Sequence, residues 1–259
     1  MKFICVLAMP RTGSSHVNKL LKSIPQVNAK SELFHRAAQA RFTRREADAL
    51  ERRGAPVDDN EAMIAWRRAN PAATIEGIQE GSREPVLAFK VFPNHLPRPV
   101  MRDAFFTRDD MAFLLLRRRP IECYISGLKA RSAGSFTLID TTAMKPALDI
   151  DDFLEWSERV RRWYGWFQHT LEEEGKPFGT ISFERHLDGK TGRQSLELIL
   201  PMLKDAGFDM LTMPNEVIEG ERQDQEARYQ DRVANWDAFV EAMGAAGRDG
   251  LLDWAMREG

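Results

Sequence analysis

Cysteine is scarce: Cys5 and Cys123 are the only thiols in 259 residues. Two cannot build a disulfide framework, so both read as buried free thiols of a chain kept in a reducing, cytoplasmic setting. Histidine is thin as well, with five residues in no metal-ligand spacing, which predicts no bound metal. Neither sign of charge dominates. A formal net charge of −2 leaves no basic footprint for nucleic acid. Long apolar runs are missing too: Met111 to Leu116, the longest in the body of the chain, is far too short to span a bilayer. The apolar opening, Lys2 to Met9, is cut off by Pro10-Arg11 with no small-x-small cleavage pattern behind it, so it reads as folded protein rather than a secretory leader. A Walker A pattern is also lacking. No glycine stands four residues before Gly13, no lysine follows it, and Gly189-Lys190-Thr191 has Glu184 where the first glycine belongs. That triplet reads as a surface turn.

The remainder is globular in composition, 43% hydrophobic and 29% charged, and long enough to bury a substantial core. No internal repeat or linker divides it, so residues 1–259 read as one domain. Apolar runs bounded by turns at Lys2–Met9, Pro85–Phe92, Met111–Leu116 and Phe178–Glu184 read as strands. Gln26–Phe34 reads as a loop leading into a short strand that ends at Ser31–His35, and 94–106 as loop and turn. Helical stretches are expected at 14–22, 36–53, 61–69, 120–128, 151–174 and 192–206, with two short ones near 235–243 and 249–256. In 151–174, Phe153, Trp156, Val160, Trp163, Phe167 and Leu171 make a buried stripe. The charged 36–80 region reads as a peripheral cap, and 130–149 as a mobile substrate loop. Alternating strands and helices predict a parallel sheet covered on both faces, with ligands beyond the strand C-termini.

The most informative stretch is Pro10-Arg11-Thr12-Gly13-Ser14-Ser15. It lies between the first strand and a helix whose Val17, Leu20 and Leu21 share a face. A helix N-terminus carries backbone N–H groups without intrahelical partners and favours an anion. Gly13 permits close approach, Thr12, Ser14 and Ser15 add hydroxyls, and Arg11 adds a fixed cation. An ordinary N-cap is the competing reading. A second basic cluster, Arg117-Arg118-Arg119-Pro120, closes the Met111–Leu116 strand, with Ser126 on the following helix. Together the two clusters imply a ligand with two separated anionic groups.

These two segments resemble the sulfotransferases that use 3′-phosphoadenosine 5′-phosphosulfate (PAPS). Residues 10–15 look like their 5′-phosphosulfate loop. Residues 116–126 look like their 3′-phosphate motif, which implies that Arg118 and Ser126 hold the 3′-phosphate. Ser31-Glu32-Leu33-Phe34 is similar to the bacterial carbohydrate and Nod-factor type. Ile181–Glu184, Glu221-Arg222-Gln223 and Val233–Trp236 look like later segments of the family, with Arg222 closing over the nucleotide. Two departures stand out. Arg119 replaces an aspartate before the proline, and Arg11 stands where the cytosolic small-molecule branch has lysine.

The resemblance implies an α/β, P-loop-NTPase-like three-layer fold with a central mainly parallel sheet flanked by helices. It implies PAPS as co-substrate and no metal. It also implies sulfuryl transfer to a small-molecule or carbohydrate hydroxyl, with Arg11 at the bridging oxygen. Glu32 is the first candidate for general base; His35 and His95 are the alternatives. Lys90, inside an apolar strand, either faces the cleft or snorkels outward, and Glu184 positions a loop. A Mg²⁺-dependent kinase or nucleotide hydrolase and a non-catalytic nucleotide-binding protein stay open beside this reading.

Overall fold

The strand that leads into the Pro10–Ser15 loop lies at the centre of a five-stranded sheet. The computed structural model describes residues 1–37, 40–134, 140–219, 226 and 228–252. In chain order the elements are β1 (Phe3–Ala8), α1 (Ser14–Ser23), β2 (Val27–Ala29), α2 (Arg44–Glu51), α3 (Asn60–Ala69), α4 (Pro71–Gly81), β3 (Val86–Val91) and α5 (Arg98–Met101). A π-helical turn, Arg102–Phe106, extends α5. There follow β4 (Met111–Arg117), α6 (Pro120–Ser132), α7 (Ile150–Glu173), β5 (Phe178–Ser182), α8 (Phe183–His186), α9 (Gly192–Asp205), α10 (Tyr229–Arg232), α11 (Trp236–Ala245) and a 3₁₀ turn, Asp249–Leu251.

The sheet order is β2-β3-β1-β4-β5, and every pairing is parallel. After β1 the chain moves to one edge, returns through β3 beside β1, and then lays β4 on β1's other flank. Such a reversal opens a crevice at the strand C-termini. β1 and β3 are buried along their whole length, as is β4 up to Leu116, because helices cover both faces. Alternation divides their side chains. Phe3, Cys5, Leu7, Phe89 and Phe113 pack under α4 and α7, while Ile4, Val6, Ala88 and Leu114 pack under α1 and α9. A third, smaller cluster joins α6, α7 and α11 through Tyr124, Phe153 and Phe239.

Several local expectations give way. The second strand is three residues long and ends at Ala29, and Ser31–His35 is a series of turns that carries Glu32 off the sheet edge. The helix expected from residue 36 begins at Arg44, because Thr43 and Glu46 form a reciprocal capping box that fixes the start there. α4 is an additional helix. Leu50, Met63, Ile75 and Ile78 join the same core as Phe89, so the charged region expected at the periphery supplies part of one sheet-covering layer. Within 94–106, residues 94–97 are loop and turn as expected but residues 98–106 are helical, and they bury Phe105 and Phe106. Of the 130–149 loop, the last residues are tied down: Asn235 accepts from Leu148 N at 2.8 Å and donates to Leu148 O at 2.9 Å. Residues 135–139, 220–225 and 253–259 lie outside the described set, and with them the role expected of Arg222 and the end of the helix expected near 249–256.

Candidate active site

The Pro10–Ser15 turn is built by strain and close approach. Arg11 is the one non-glycine with positive φ among the described residues, at 71°, and Gly13 follows at 88°. Left-handed backbone at a non-glycine costs about 1–3 kcal/mol and persists where surrounding contacts enforce it. Thr12 is one such contact: its buried hydroxyl donates to Met9 O at 2.7 Å and closes the turn. That hydroxyl, expected to face a ligand, is used by the loop itself. Gly13 is the N-cap of α1 and supplies no side-chain cap, unlike Thr43, Asp149 and Thr191, which cap α2, α7 and α9. The first-turn N–H groups of α1 are thus available to an anion. Ser14 is buried and Ser15 exposed at that end.

The second basic cluster meets this loop directly. Arg118 donates through Nη1 to Arg11 O at 3.0 Å and through Nη2 to Glu122 at 3.0 Å. Its guanidinium lies 4.2 Å from the centre of the Phe183 ring, and its Nε is buried without a partner among the described residues. Arg11 Nε donates to Ser126 Oγ at 2.9 Å. Arg11, Arg118 and Ser126 therefore form one cluster. Burial, then the charge of Arg118, holds the Arg11 guanidinium below its usual range. Two cations pressed together at a helix N-terminus are relieved by an anion. Arg11 reaches toward the α6 side of the loop.

The cation beside the loop serines is Lys90. Its Nζ lies 3.4 Å from Ser14 Oγ and 3.5 Å from Ser15 Oγ. Register explains why: Lys90 is opposite Val6, so it points to the sheet face covered by α1, at the strand end where the loop begins. The same Nζ is 3.1 Å from Glu32 Oε1, and Glu32 Oε2 is 3.5 Å from His95 Nε2. Phe92 N donates to His95 Nδ1 at 3.2 Å, which assigns the neutral ring's proton to Nε2, facing Glu32. Ala37 N donates to His35 Nδ1 at 3.1 Å, and the two imidazoles meet edge to face at 5.7 Å. Both histidines thus have their unprotonated nitrogen taken by backbone. Glu32 keeps the free lone pairs.

Burial pushes the Glu32 carboxyl up, but the His95 contact and the charge and hydrogen bond of Lys90 outweigh it and bring the carboxyl down to about 2. A carboxyl lowered by folding adds stability that is complete above the ordinary carboxylate range and is lost as pH falls toward the folded value. The expected result is that Glu32→Gln is less stable than wild type at pH 6 and that the gap narrows between about pH 4.5 and 2. Urea midpoints across that range check it; a gap that holds steady with pH refutes the assignment.

Three further residues complete the cluster. Glu122 pairs with Arg118 and also with Arg232, at 2.8 and 2.9 Å. Tyr229, on the same short helix as Arg232, has its hydroxyl between Glu122 and Arg119. Glu184 accepts from Arg119 N at 2.8 Å and from Ser182 Oγ at 3.1 Å, so it fixes the start of α6, consistent with a loop-positioning role. In the sequence, Glu122 was marked only by standing four residues after Arg118, in the first turn of the helix that Arg118 precedes. Arg232 and Tyr229 carried no local signal, because their roles depend on where the C-terminal segment returns.

A family model for the sulfotransferase family matches residues 4–186. That span covers β1 through α8, including both anion motifs, Lys90, Glu32 and His95, and more than half of the chain. The chain belongs to the sulfotransferase family, and its wholly parallel sheet is the P-loop-like fold of that family. No curated protein matches it. Among the described residues no group of histidine, cysteine and carboxylate side chains is placed to hold a metal ion, and no helix is long and apolar enough to cross a membrane.

Proposed function

We propose that the chain transfers the sulfuryl group of PAPS to a hydroxyl of a small-molecule or carbohydrate acceptor and releases adenosine 3′,5′-bisphosphate. The observation that carries this reading is the meeting of two anion-binding segments, with Arg118 bonded to the backbone of Arg11 and Arg11 bonded to Ser126. A nucleotide with phosphates at both ends of its ribose matches that pairing. The N–H groups from Thr12 to Ser15 hold the 5′-phosphosulfate, and Arg118 with Ser126 holds the 3′-phosphate; Arg11, expected at the bridging oxygen, bonds Ser126 and is assigned to the 3′-phosphate side instead. Arg222, in the segment leading toward Tyr229 and Arg232, closes over the nucleotide.

The acceptor oxygen forms a bond to sulfur as the bond from sulfur to the bridging oxygen breaks, and the electrons of the broken bond stay on the 5′-phosphate. Lys90, already beside Ser14 and Ser15, neutralises that growing charge. The acceptor proton goes to Glu32. At rest Glu32 is a weak base, because Lys90 and His95 both stabilise its anion. Recruitment of Lys90 to the phosphosulfate removes the closer of these partners and raises the carboxylate's proton affinity. Basicity then arrives with the co-substrate. His95 positions Glu32, and His35 backs His95.

Calorimetric titration with adenosine 3′,5′-bisphosphate, AMP and ATP–Mg²⁺ tests the donor assignment. The bisphosphate is expected to bind at least 10-fold more tightly than AMP. Arg118→Ala is expected to erase that preference, since a charge-assisted contact is worth about 1.5–3 kcal/mol. Tightest binding of ATP–Mg²⁺ supports a kinase instead.

A further inference from the structure

A cavity of about 620 Å³ opens at the C-terminal end of the sheet, lined by Met9, Pro93 and a wall from α5 and α7: Arg98, Trp156, Arg159, Val160, Arg162 and Trp163. Its volume falls in the range of small-ligand sites. Met9 directly precedes the Pro10–Ser15 loop, and Pro93 lies two residues before His95, so the lining is joined through the chain to both halves of the cluster described above. It is on the sheet face covered by α7, opposite the face where α1 receives the nucleotide.

We infer that this cavity is the acceptor site and that it selects an anionic acceptor: a ring-bearing hydroxyl compound with a carboxylate or sulfo group. The inference rests on the sulfuryl-transfer reading above. Three observations carry it. First, the lining holds three arginines and no carboxylate. Two of the arginines meet carboxylates along α7: Arg159 pairs with Glu155 and Arg162 lies 3.7 Å from Glu158. Both are exposed pairs within one helix, of the kind worth a few tenths of a kcal/mol, so an arriving anion displaces them at little cost. Second, Trp156, half-buried in the lining, supplies a flat indole surface of the kind on which a ring stacks. Arg98 is held 4.8 Å from the centre of the Trp166 ring, which keeps its charge at the rim. Third, Trp163 is almost wholly buried, and its indole N–H has no acceptor among the described residues. An unsatisfied buried donor costs stability unless a partner is provided, and an acceptor oxygen provides one.

α7 is held in register for this purpose. Tyr164, next to Trp163, accepts from Met9 N at 3.1 Å and donates to Leu116 O. The indole wall is thereby fixed to the ends of β1 and β4. Lys90 and Glu32 come from β3 and the turn after β2, so the reacting groups stand apart from the wall that selects the acceptor.

Tryptophan fluorescence on the full chain tests the inference with two matched pairs of probes: methyl glucuronide against methyl glucoside, and 4-hydroxybenzenesulfonate against phenol. Each pair differs by one anionic group. In at least one pair the anionic member is expected to bind about 10-fold or more tightly than its neutral partner. The pair with the larger difference tells a sugar acceptor from an aromatic one. In Arg159→Ala/Arg162→Ala the preference is expected to shrink to within about 3-fold, while affinity for adenosine 3′,5′-bisphosphate stays at the wild-type value. Equal binding within both pairs, no binding of any probe, or a preference untouched in the double variant overturns the proposal. The bisphosphate titration reads the other question. Its failure removes the sulfotransferase donor while leaving an anion-selective cavity measurable, so the two outcomes do not mask each other.

Discussion

Lys90→Met is expected to lower kcat/KM for sulfuryl transfer by about 10²–10³-fold, the loss typical when one preorganised donor at a developing negative charge is removed. Methionine keeps most of the apolar stem and removes the ammonium. The expected binding result is different. Adenosine 3′,5′-bisphosphate carries on its 5′-phosphate the charge that Lys90 neutralises, so its Kd should rise about 10-fold, less than the loss in kcat/KM because Arg118, Arg11, Ser126 and the loop N–H groups still hold it. A fall in turnover larger than the loss of product affinity is the mark of an interaction strongest in the transition state. Glu32 reports independently. Without Lys90 it keeps His95 alone, so its carboxyl moves up from about 2 toward its ordinary range, and the acid-side loss of stability that it contributes should be smaller and end at higher pH. Wild-type turnover in Lys90→Met sinks the role assigned to this side chain. Equal losses of turnover and bisphosphate affinity place it in ground-state binding instead.

Gly13→Ala is expected to impair both folding and nucleotide binding. A Cβ at residue 13 stands 2.6 Å from Phe183 Cδ2 and 2.9 Å from Cε2, and the backbone there has φ of 88°. Two costs combine: overpacking, about 1–3 kcal/mol, and a left-handed non-glycine residue of similar size. Phe183 cannot move freely, because the Arg118 guanidinium lies over its ring. A shift of that ring therefore displaces the 3′-phosphate side as well as the loop. The bisphosphate Kd should rise at least 10-fold and the Tm should drop by several degrees. Adding Phe183→Leu should recover the steric part of the Tm and leave the conformational part. A Gly13→Ala protein with wild-type Tm and affinity refutes this account of the loop.

Both segments proposed to bind anions stood out in the sequence because each is a contiguous run at a strand end, and contiguous runs survive without knowledge of the fold. The parallel sheet was legible because β1, β3 and β4 are buried on both faces and so read as unbroken apolar stretches. Lys90 illustrates the limit. Nothing within its strand tells which face it takes; pairing with Val6 decides that, and pairing is a long-range fact. Glu32 was identified, but its company was not. Lys90 is 58 residues away and His95 is 63, on a strand and a loop whose relative position comes from the sheet order β2-β3-β1. The start of α2 was readable in principle, from Thr43 and Glu46, but was obscured by the helix-favouring composition that precedes it. The hydroxyl of Thr12 shows the opposite error: a group suited to a ligand is used to close the loop itself.

Tyr164 has a consequence for how this protein can diversify. A single phenol fastens α7 to the chain just behind the nucleotide loop, from the side away from the nucleotide. Residues 156, 159 and 162 project from the same helix but take no part in that fastening. With the acceptor site placed on that wall as proposed, substitutions there change which compounds enter while the Pro10–Ser15 loop keeps its shape, so acceptor range can drift under selection separately from the chemistry.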